Sequence, residues 1–597
     1  MKNAPSLAVV LMLAPCLADT SQAQAMFRGD PAHSGIYAGP GPRQFHRVKW
    51  KVPTGNRIIS SPVIDDEKIY FGSDDGNVYA VDAQNGRQIW QHSTRGPVRS
   101  TPAIVSGVLY VGSYDGSFYA LDAETGALKW KFATGGERRF EAKGLHGMQP
   151  KHQTIADPFD SYLSSPVVAD GGVYFGSGDS NLYALDAATG DLRWKFKTGD
   201  VVHASPAFSN GVVFVGSWDS YFYAVDARTG KEKWRFHGGE DPLIHNQVGF
   251  QSSPAVADGI VYTGCRDAQV YALDAATGKE KWRFDNAFSW VNTSPAVAHG
   301  KVFFATSDSS LYHIVEAATG KSIVRQQGKA YMFSSPAIAG DVVFIGVLNG
   351  TLEARDINTG EVLWNFRTEA SKQNKGWVLT ADGKFNQPLL FYDNWFEAPL
   401  LAQERQMSVG SIFSSPLVAN GVVYFGSTDG FMYAVDYCRA EPITLSRVIC
   451  NRFGHVERGR FSAHVVRAHF AFGDHASNRG LKARGHFRFL EPIEHQLRCE
   501  KHGDRVHLVL AGVFRGRAVR RFEHGVLVTE VCTRRETKST DKAGAQIADD
   551  IAEHVFRDED RVILRIFKHP HADGVDVYFV RPDIGIILRH LSEAVRH

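Results

Sequence analysis

The sequence predicts an all-β protein, an eight-bladed β-propeller of four-stranded blades that is closed by its N-terminal strand. Three observations lead to this prediction. A unit of about 40 residues occurs eight times. Each unit contains four alternating apolar runs separated by turn residues, and one additional strand of the same pattern precedes the first unit. Repeated four-stranded sheets of this length are typical of propellers.

Each unit begins with a proline that follows small hydroxyl residues. Because proline cannot donate to a sheet ladder, we expect it to mark the beginning of the innermost strand. The prolines are Pro62, Pro102, Pro166, Pro206, Pro254, Pro295, Pro336 and Pro416. The third strand of each unit ends in an acidic residue, namely Asp82, Asp122, Asp186, Asp226, Asp274, Glu316, Asp356 and Asp436.

Tryptophans in the fourth strand of the unit indicate how the ring closes. They are Trp90, Trp130, Trp194, Trp234, Trp282 and Trp364, with Val324 at this position in unit six. The eighth unit has no fourth strand after Asp436, whereas residues 48–52 carry the missing pattern around Trp50. We therefore expect the N-terminal strand to complete blade eight, because this leaves no open sheet edge.

The repeated motif Ala-x-Asp-x-x-Thr-Gly-x-x-x-Trp, as in residues 120–130, supports a family resemblance. It resembles the PQQ-like eight-bladed propeller superfamily, which includes quinoprotein alcohol dehydrogenases and the outer-membrane assembly lipoprotein of the Bam complex. The resemblance covers roughly residues 26–437. The motif also has a structural explanation, since its glycine tolerates a positive φ in a turn and its tryptophan fills the space between sheets. We interpret these Asp and Trp residues as structural.

The first 25 residues are typical of a secretory signal peptide. Lys2 precedes an apolar run at residues 7–17, and Ala23-Gln24-Ala25 is a small-x-small cleavage site. No later segment contains 18 uninterrupted apolar residues, so we expect no transmembrane span. These features predict a periplasmic or secreted protein.

The C-terminal residues 438–597 differ in composition from the rest of the chain. They hold 28 of the 66 Lys and Arg residues and 21 of the 64 Asp and Glu residues, a net charge of +7 against −5 for residues 1–437. They contain 14 of the 24 histidines and no repeat unit. Two interpretations stay open: a basic α+β domain, or an out-of-frame reading of GC-rich DNA. Export argues against a nucleic-acid partner.

Three insertions between blades indicate where function lies. They contain residues 137–163, residues 244–247 and part of the long interval between Pro336 and Pro416, and all emerge on one face of the ring. Long connections on a rigid scaffold commonly form binding sites, and a half-apolar mouth with a few polar groups suits a small ligand. The candidate ligand or cofactor residues on this face are Arg99, Arg138, Arg139, His146, His203, Trp218, His245, Gln251, Arg266, Trp290 and Asn292.

Two functions remain open from sequence. The first is a non-catalytic binding or scaffold module, a monomer with an unidentified small ligand or an envelope protein as its partner. The second, implied by the resemblance, is an alcohol or sugar oxidoreductase that uses pyrroloquinoline quinone (PQQ) and Ca²⁺. A flat polyanion of this kind needs an aromatic platform, an arginine and oxygen ligands for the cation.

The sequence meets the requirements of the quinone only in part. Trp218 or Trp290 could supply the platform. The arginine could be Arg138, Arg139 or Arg266. The adjacent-cysteine pair of the quinoprotein dehydrogenases and a Cys-x-x-Cys-His haem motif are both absent, and no set of calcium or other metal ligands can be assigned. We therefore favour the binding or scaffold module.

Overall fold

The structure is a computed structural model that describes residues 25–145, 151–240, 248–374, 376–390 and 398–436, together with six strands between residues 482 and 580. Two compact units are present, Met1–Cys438 and Arg439–His597. The predicted signal peptide lies outside the described residues except for Ala25. His146 and His245 also lie outside them.

The first unit contains eight blades of four antiparallel strands each, one of which is extended by a short parallel strand, and this confirms the predicted eight-bladed propeller. The first strand of each blade has three residues and contacts the first strands of neighbouring blades, so these strands surround a central channel. Blade one consists of Val63–Asp65, Lys68–Gly72, Asn77–Asp82 and Gln88–Ser93, and blade two of Ala103–Val105, Val108–Ser113, Ser117–Asp122 and Leu128–Ala133. Blade three consists of Val167–Ala169, Gly172–Gly176, Asn181–Asp186 and Leu192–Lys197, and blade four of Ala207–Ser209, Val212–Gly216, Tyr221–Asp226 and Glu232–His237. Blade five consists of Ala255–Ala257, Ile260–Gly264, Gln269–Asp274 and Glu280–Asp285, and blade six of Ala296–Ala298, Lys301–Ala305, Leu311–Glu316 and Ser322–Gln327. Blade seven consists of Ala337–Ala339, Val342–Val347, Thr351–Asp356 and Val362–Arg367, and blade eight of Leu417–Ala419, Val422–Gly426, Phe431–Asp436 and Arg47–Pro53.

Blade eight is closed by the N-terminal strand, as predicted. Arg47–Pro53 pairs antiparallel with Phe431–Asp436, and Trp50 lies opposite Ala434. The first and last parts of the propeller are therefore held in one sheet, and no blade is left incomplete.

The repeated Asp, Gly and Trp residues join adjacent blades. In blade five, Asp274 Oδ1 accepts a hydrogen bond from the Thr277 backbone N–H at 3.0 Å and closes the turn to the last strand. The next residue, Gly278, has a φ of 71°, and a Cβ there would lie 2.5 Å from the ring of Trp234 in blade four. The Trp234 indole donates to the Ala275 carbonyl at 3.0 Å. Six of the seven fourth-strand tryptophans make this bond to the next blade, and Trp364 donates to the Pro42 carbonyl.

A closed belt of eight hydrogen bonds surrounds the channel at the hydroxyl residues that precede the prolines. The backbone N–H of each belt residue donates to the side-chain hydroxyl of the next blade's belt residue, at 2.8 to 3.3 Å. The belt residues are Ser61, Thr101, Ser165, Ser205, Ser253, Ser294, Ser335 and Ser415. The hydroxyl is thus required for contact between blades, a function that the sequence analysis did not assign.

The N-terminal segment 25–41 fills the channel on the side of the belt away from the insertions. Its backbone bonds to first strands of five blades, and residues Ile36–Tyr37 pair in parallel with Ala337–Ala339. Arg28, 2% exposed, donates to the carbonyls of Pro336 at 2.5 Å and Pro295 at 2.9 Å. The guanidinium therefore satisfies carbonyls of two blades that would otherwise face the channel.

The insertions and the second unit contain the remaining elements. The first insertion has a hairpin, Glu141–Lys143 with Thr154–Ala156, and the third has helices Glu369–Gln373, Gln387–Leu390 and Ala398–Ser408. Within the described part of the chain, no helix is long and apolar enough to cross a membrane. The second unit contains a four-stranded antiparallel sheet, Lys482–Arg488, Glu494–His502, Arg505–Ala511 and Leu527–Cys532, and a separate strand pair, Ile563–Lys568 with Val575–Val580.

Candidate functional site

The channel mouth is covered by the end of the first insertion, residues 157–163, which we call the cap. The cap follows the strand Thr154–Ala156 and leads into the first strand of blade three. Side chains of blades two, four and five bind it, and its Tyr162 hydroxyl donates to the Phe333 carbonyl at 2.8 Å and the Phe413 carbonyl at 3.3 Å. The cap therefore spans the ring rather than lying beside one blade.

Arg266, in a turn of blade five, binds the first residue of the cap. Its guanidinium is fully buried and lies between two indoles, 4.2 Å from the ring centroids of both Trp218 and Trp290. It forms an ion pair with the buried carboxylate of Asp157 and donates to Gln251 Oε1 at 2.9 Å. Both faces of the cation are thus stacked while its edge is hydrogen-bonded.

His203, three residues before the proline of blade four, binds the middle of the cap. Its Nδ1 lies 2.7 Å from Asp160 Oδ1, and its Nε2 lies 3.5 Å from Glu137 Oε2. Burial alone would lower the pKa of His203, but the two carboxylates raise it to about 10. The imidazole is therefore a protonated cation at neutral pH, held between two acidic residues of the first insertion.

Arg99, at the equivalent position in blade two, binds the end of the cap. It contacts both carboxylate oxygens of Asp74 at 2.7 and 2.8 Å and donates to the Ser161 carbonyl at 3.1 Å. Burial alone would lower the pKa of Arg99, but Asp74 holds it above its ordinary value. Unlike the other two cations, Arg99 has a carboxylate partner that belongs to the ring itself.

Between the cap and the belt lies a small cavity. Its volume is about 30 Å³, enough for roughly two water molecules. Belt residues, Phe27 from the N-terminal segment, and Asn292 line it. Asn292 is 4% exposed, and within the described part of the chain neither polar atom of its side-chain amide has a hydrogen-bond partner.

Most of the predicted site residues meet at this mouth, where the structure places Arg99, His203, Trp218, Gln251, Arg266, Trp290 and Asn292. Gln251 joins two of these contacts, because its Nε2 also donates to the Phe159 carbonyl at 2.8 Å. Arg138 lies apart, in a half-exposed ion pair with Asp200 at 2.7 Å. Arg139 is partly buried, and no ion pair is formed by it among the described residues.

Sequence reasoning missed the acidic partners. Asp157, Asp160 and Glu137 lie in an insertion without repeat pattern, and Asp74 lies in a turn of blade one. One signal was available: two aspartates three residues apart stand at the end of an insertion that returns to the channel. Their identity as partners could not be read from spacing, because the insertion crosses several blades.

The residues at the mouth do not fit PQQ and Ca²⁺ in this structure. The indole faces of Trp218 and Trp290 that a flat quinone would need are stacked on Arg266. The cavity has room for about two waters. Among the residues that the structure describes, no group of three or more His, Cys, Asp or Glu side chains could hold a metal ion.

Several solved structures resemble the chain, and those with a TM-score above 0.5 show the fold alone. A europium-containing methanol dehydrogenase aligns at 15% identity and a TM-score of 0.51 over 70% of this chain and 99% of the other. A quinohemoprotein alcohol dehydrogenase from Comamonas testosteroni aligns at 15% identity and 0.51 over 69% and 81%. BamB from Moraxella catarrhalis aligns at 15% identity and 0.48 over 66% and 98%. Among curated proteins, none matches the sequence significantly.

The match to a protein family covers the larger part of the chain and shows which family it belongs to. The family described as outer membrane protein assembly factor BamB matches residues 43–142, 137–284 and 266–383, which together make up more than half of the chain. These ranges include the closing strand and all blades from one to seven. By this match and by its eight-bladed ring, the chain belongs to the PQQ-like repeat family of the outer membrane protein assembly factor BamB.

Proposed function

We propose that the propeller is a non-catalytic binding or scaffold module of the cell envelope, whose partner is an envelope protein that docks on the insertion-bearing face. One observation supports this proposal above others. The three buried cations at the mouth, Arg99, His203 and Arg266, all bind the chain's own cap, and the cavity beneath has room for only about two waters. With its cations bound by the cap and its cavity this small, the mouth forms a surface rather than an enclosed active site.

The family supports the location as well as the type of function. Its description names an outer membrane protein assembly factor, and a chain acting there must be exported. The predicted signal peptide at residues 1–25 agrees with this, so we propose a periplasmic location.

Site-specific photocrosslinking tests the proposal on the intact chain in its own envelope. Trp377, 59% exposed in the third insertion, is replaced by the photoreactive residue benzoylphenylalanine. Ala188, exposed in a turn on the opposite face, carries the same replacement as the matched control. We expect one discrete crosslinked partner from position 377 and none from position 188. Equal crosslinking from both faces, or none from either, would refute the proposal.

The alternative, a PQQ-dependent oxidoreductase, shares the fold of the aligned dehydrogenases but finds no support in the mouth. Adding PQQ and Ca²⁺ to the purified protein distinguishes the two functions, because a ligand that binds the folded state raises the melting temperature. We expect no change in melting temperature or in quinone absorbance. A shift that requires both additions would establish the cofactor and overturn our preference.

A further inference from the structure

The cap is bound in the way that a protein binds a foreign peptide. Within residues 157–163, alternating side chains and carbonyls are recognised in sequence by residues of blades five, four and two and by carbonyls across the channel. Asp157 binds Arg266, the Phe159 carbonyl accepts from Gln251, and Asp160 binds His203. The Ser161 carbonyl accepts from Arg99, and Tyr162 donates across the channel to blades seven and eight.

The groups that recognise the cap belong to the rigid ring. Arg99, His203 and Gln251 all lie three residues before a belt proline, and Arg266 lies two residues after the end of a second strand. Residues outside the cap hold both arginines: Asp74 binds Arg99 with both carboxylate oxygens, and Trp218, Trp290 and Gln251 contact Arg266. A site that is held in place in this way is organised before its ligand arrives.

The cap leaves part of the site unsatisfied. Both polar atoms of the Asn292 amide and the indole Nε1 of Trp218 are buried, and none of these atoms bonds to a protein group among the residues that the structure describes. Asn292 lines the cavity directly beneath the cap, and Trp218 stacks on the arginine that binds Asp157. A ligand of the same chemistry could therefore make contacts that the cap does not make.

We propose that the channel mouth is a recognition site for an acidic, aromatic peptide segment, and that the cap is its resident internal ligand. The segment that fits carries two carboxylates three residues apart with an aromatic residue between them, as in Asp-Pro-Phe-Asp-Ser-Tyr. A segment of this kind in the partner exchanges with the cap. This inference rests on the proposed binding role of the insertion-bearing face and names the chemistry of its partner.

Charge makes the exchange selective. When the cap leaves, Arg99 keeps Asp74 and His203 keeps Glu137, but Arg266 loses Asp157 and His203 loses Asp160, the closer of its two carboxylates. A buried cation without a partner is strongly unfavourable, so the incoming segment must replace Asp157, and a second carboxylate restores the shorter contact of His203. An apolar or basic segment has no means of doing so.

The test uses the full-length chain and a labelled nonapeptide with the sequence of residues 156–164, blocked at both ends. In the variant Asp157→Asn with Asp160→Asn, the cap no longer competes effectively, while the ring side of the site is intact. Fluorescence anisotropy should show that this variant binds the peptide, and that the unaltered chain binds at least tenfold more weakly, because its tethered cap acts at an effective concentration of about millimolar.

Two matched controls make the result specific. A peptide with Asn in place of both Asp residues should bind at least tenfold more weakly to the variant, and so should the Asp peptide when Arg266→Gln is added. Equal binding of the Asp and Asn peptides by the variant, or no binding of either, overturns the proposal.

Hydrogen exchange on the unaltered chain gives an independent measurement that does not depend on how well the variants fold. Excess Asp peptide should accelerate amide exchange in residues 157–163, while the Asn peptide should not. Absence of acceleration at saturating peptide overturns the inference. Because both assays use purified components, their failure leaves the crosslinking result for the proposed function unaffected.

Discussion

The ion pair between Arg266 and Asp157 permits a quantitative prediction. Both side chains are completely buried, and Asp157 Oδ1 also accepts from the Phe159 backbone N–H at 2.8 Å. The substitution Asp157→Asn keeps the shape and an acceptor for that bond but removes the negative charge. The guanidinium of Arg266 is then buried without its carboxylate partner.

The loss of stability expected for Asp157→Asn follows from the complete burial of the ion pair. Removing one partner of a buried ion pair costs about 3–5 kcal/mol. For a unit of roughly 410 residues, an unfolding entropy of about 2.1 cal/mol/K per residue gives about 0.9 kcal/mol per degree. We therefore expect Asp157→Asn to lower the melting temperature by about 3 to 6 °C.

Differential scanning calorimetry measures this shift, and two further variants test its cause. Asp382→Asn removes the acid of an exposed pair with Lys384 at 3.2 Å, and should change the melting temperature by less than about 1 °C. The double variant Asp157→Leu with Arg266→Met removes both buried charges and should be less destabilised than Asp157→Asn. A loss below 1 °C for Asp157→Asn, or a double variant that is worse than it, would refute the reasoning.

Three further predictions test the ring and the mouth. Ser205→Ala leaves the Ser165 N–H of the belt without its acceptor and should lower the free energy of unfolding by about 1–3 kcal/mol. Ser205→Thr should be tolerated, because Thr101 fills the same position in blade two, and thermal melting compares the two variants. Gly278→Ala should lower the melting temperature more than Gly211→Ala, because φ is positive at both positions but an added Cβ meets the Trp234 ring only at position 278. Equal losses of melting temperature in the two variants would contradict this packing explanation. Folding raises the pKa of His203 from 6.5 to about 10, so its stabilisation is complete below pH 6.5 and is lost as the pH rises through 10. The difference in melting temperature between the unaltered chain and His203→Gln should therefore narrow from pH 6 to pH 10, and a constant difference would contradict the assignment.

The architecture could be predicted from sequence because its causes are local and repeated. Four alternating runs per unit determine the blade, and the displaced strand around Trp50 determines the closure. The sequence also named Arg99, His203 and Asn292 as candidates on the insertion-bearing face, and all three line the cavity at the mouth. The blade pattern is contained in one unit and repeated along the chain, and the closure follows from the single strand that precedes the first unit.

The partners of these residues could not be predicted, because they depend on how non-repeating segments cross the ring. Arg266 looked available for a ligand, yet a cap residue 109 positions earlier in the chain neutralises it. The belt shows a second limit to what can be predicted from sequence. Its hydroxyl residues are visible in every unit, but an acceptor for the neighbouring blade's N–H exists only once eight blades are arranged in a circle.

The arrangement of charge at the mouth limits what the face can bind. Arg99 is compensated within the ring, so it needs only a carbonyl from its ligand, whereas Arg266 takes its carboxylate from the ligand and His203 takes the closer of its two carboxylates from it. Two anionic positions at a set separation, with an aromatic residue between them, cannot be matched by a single small anion. They can be matched by a chain segment, because a backbone holds two carboxylates at a defined spacing. The same geometry that closes the mouth to a flat cofactor therefore makes it selective for a peptide.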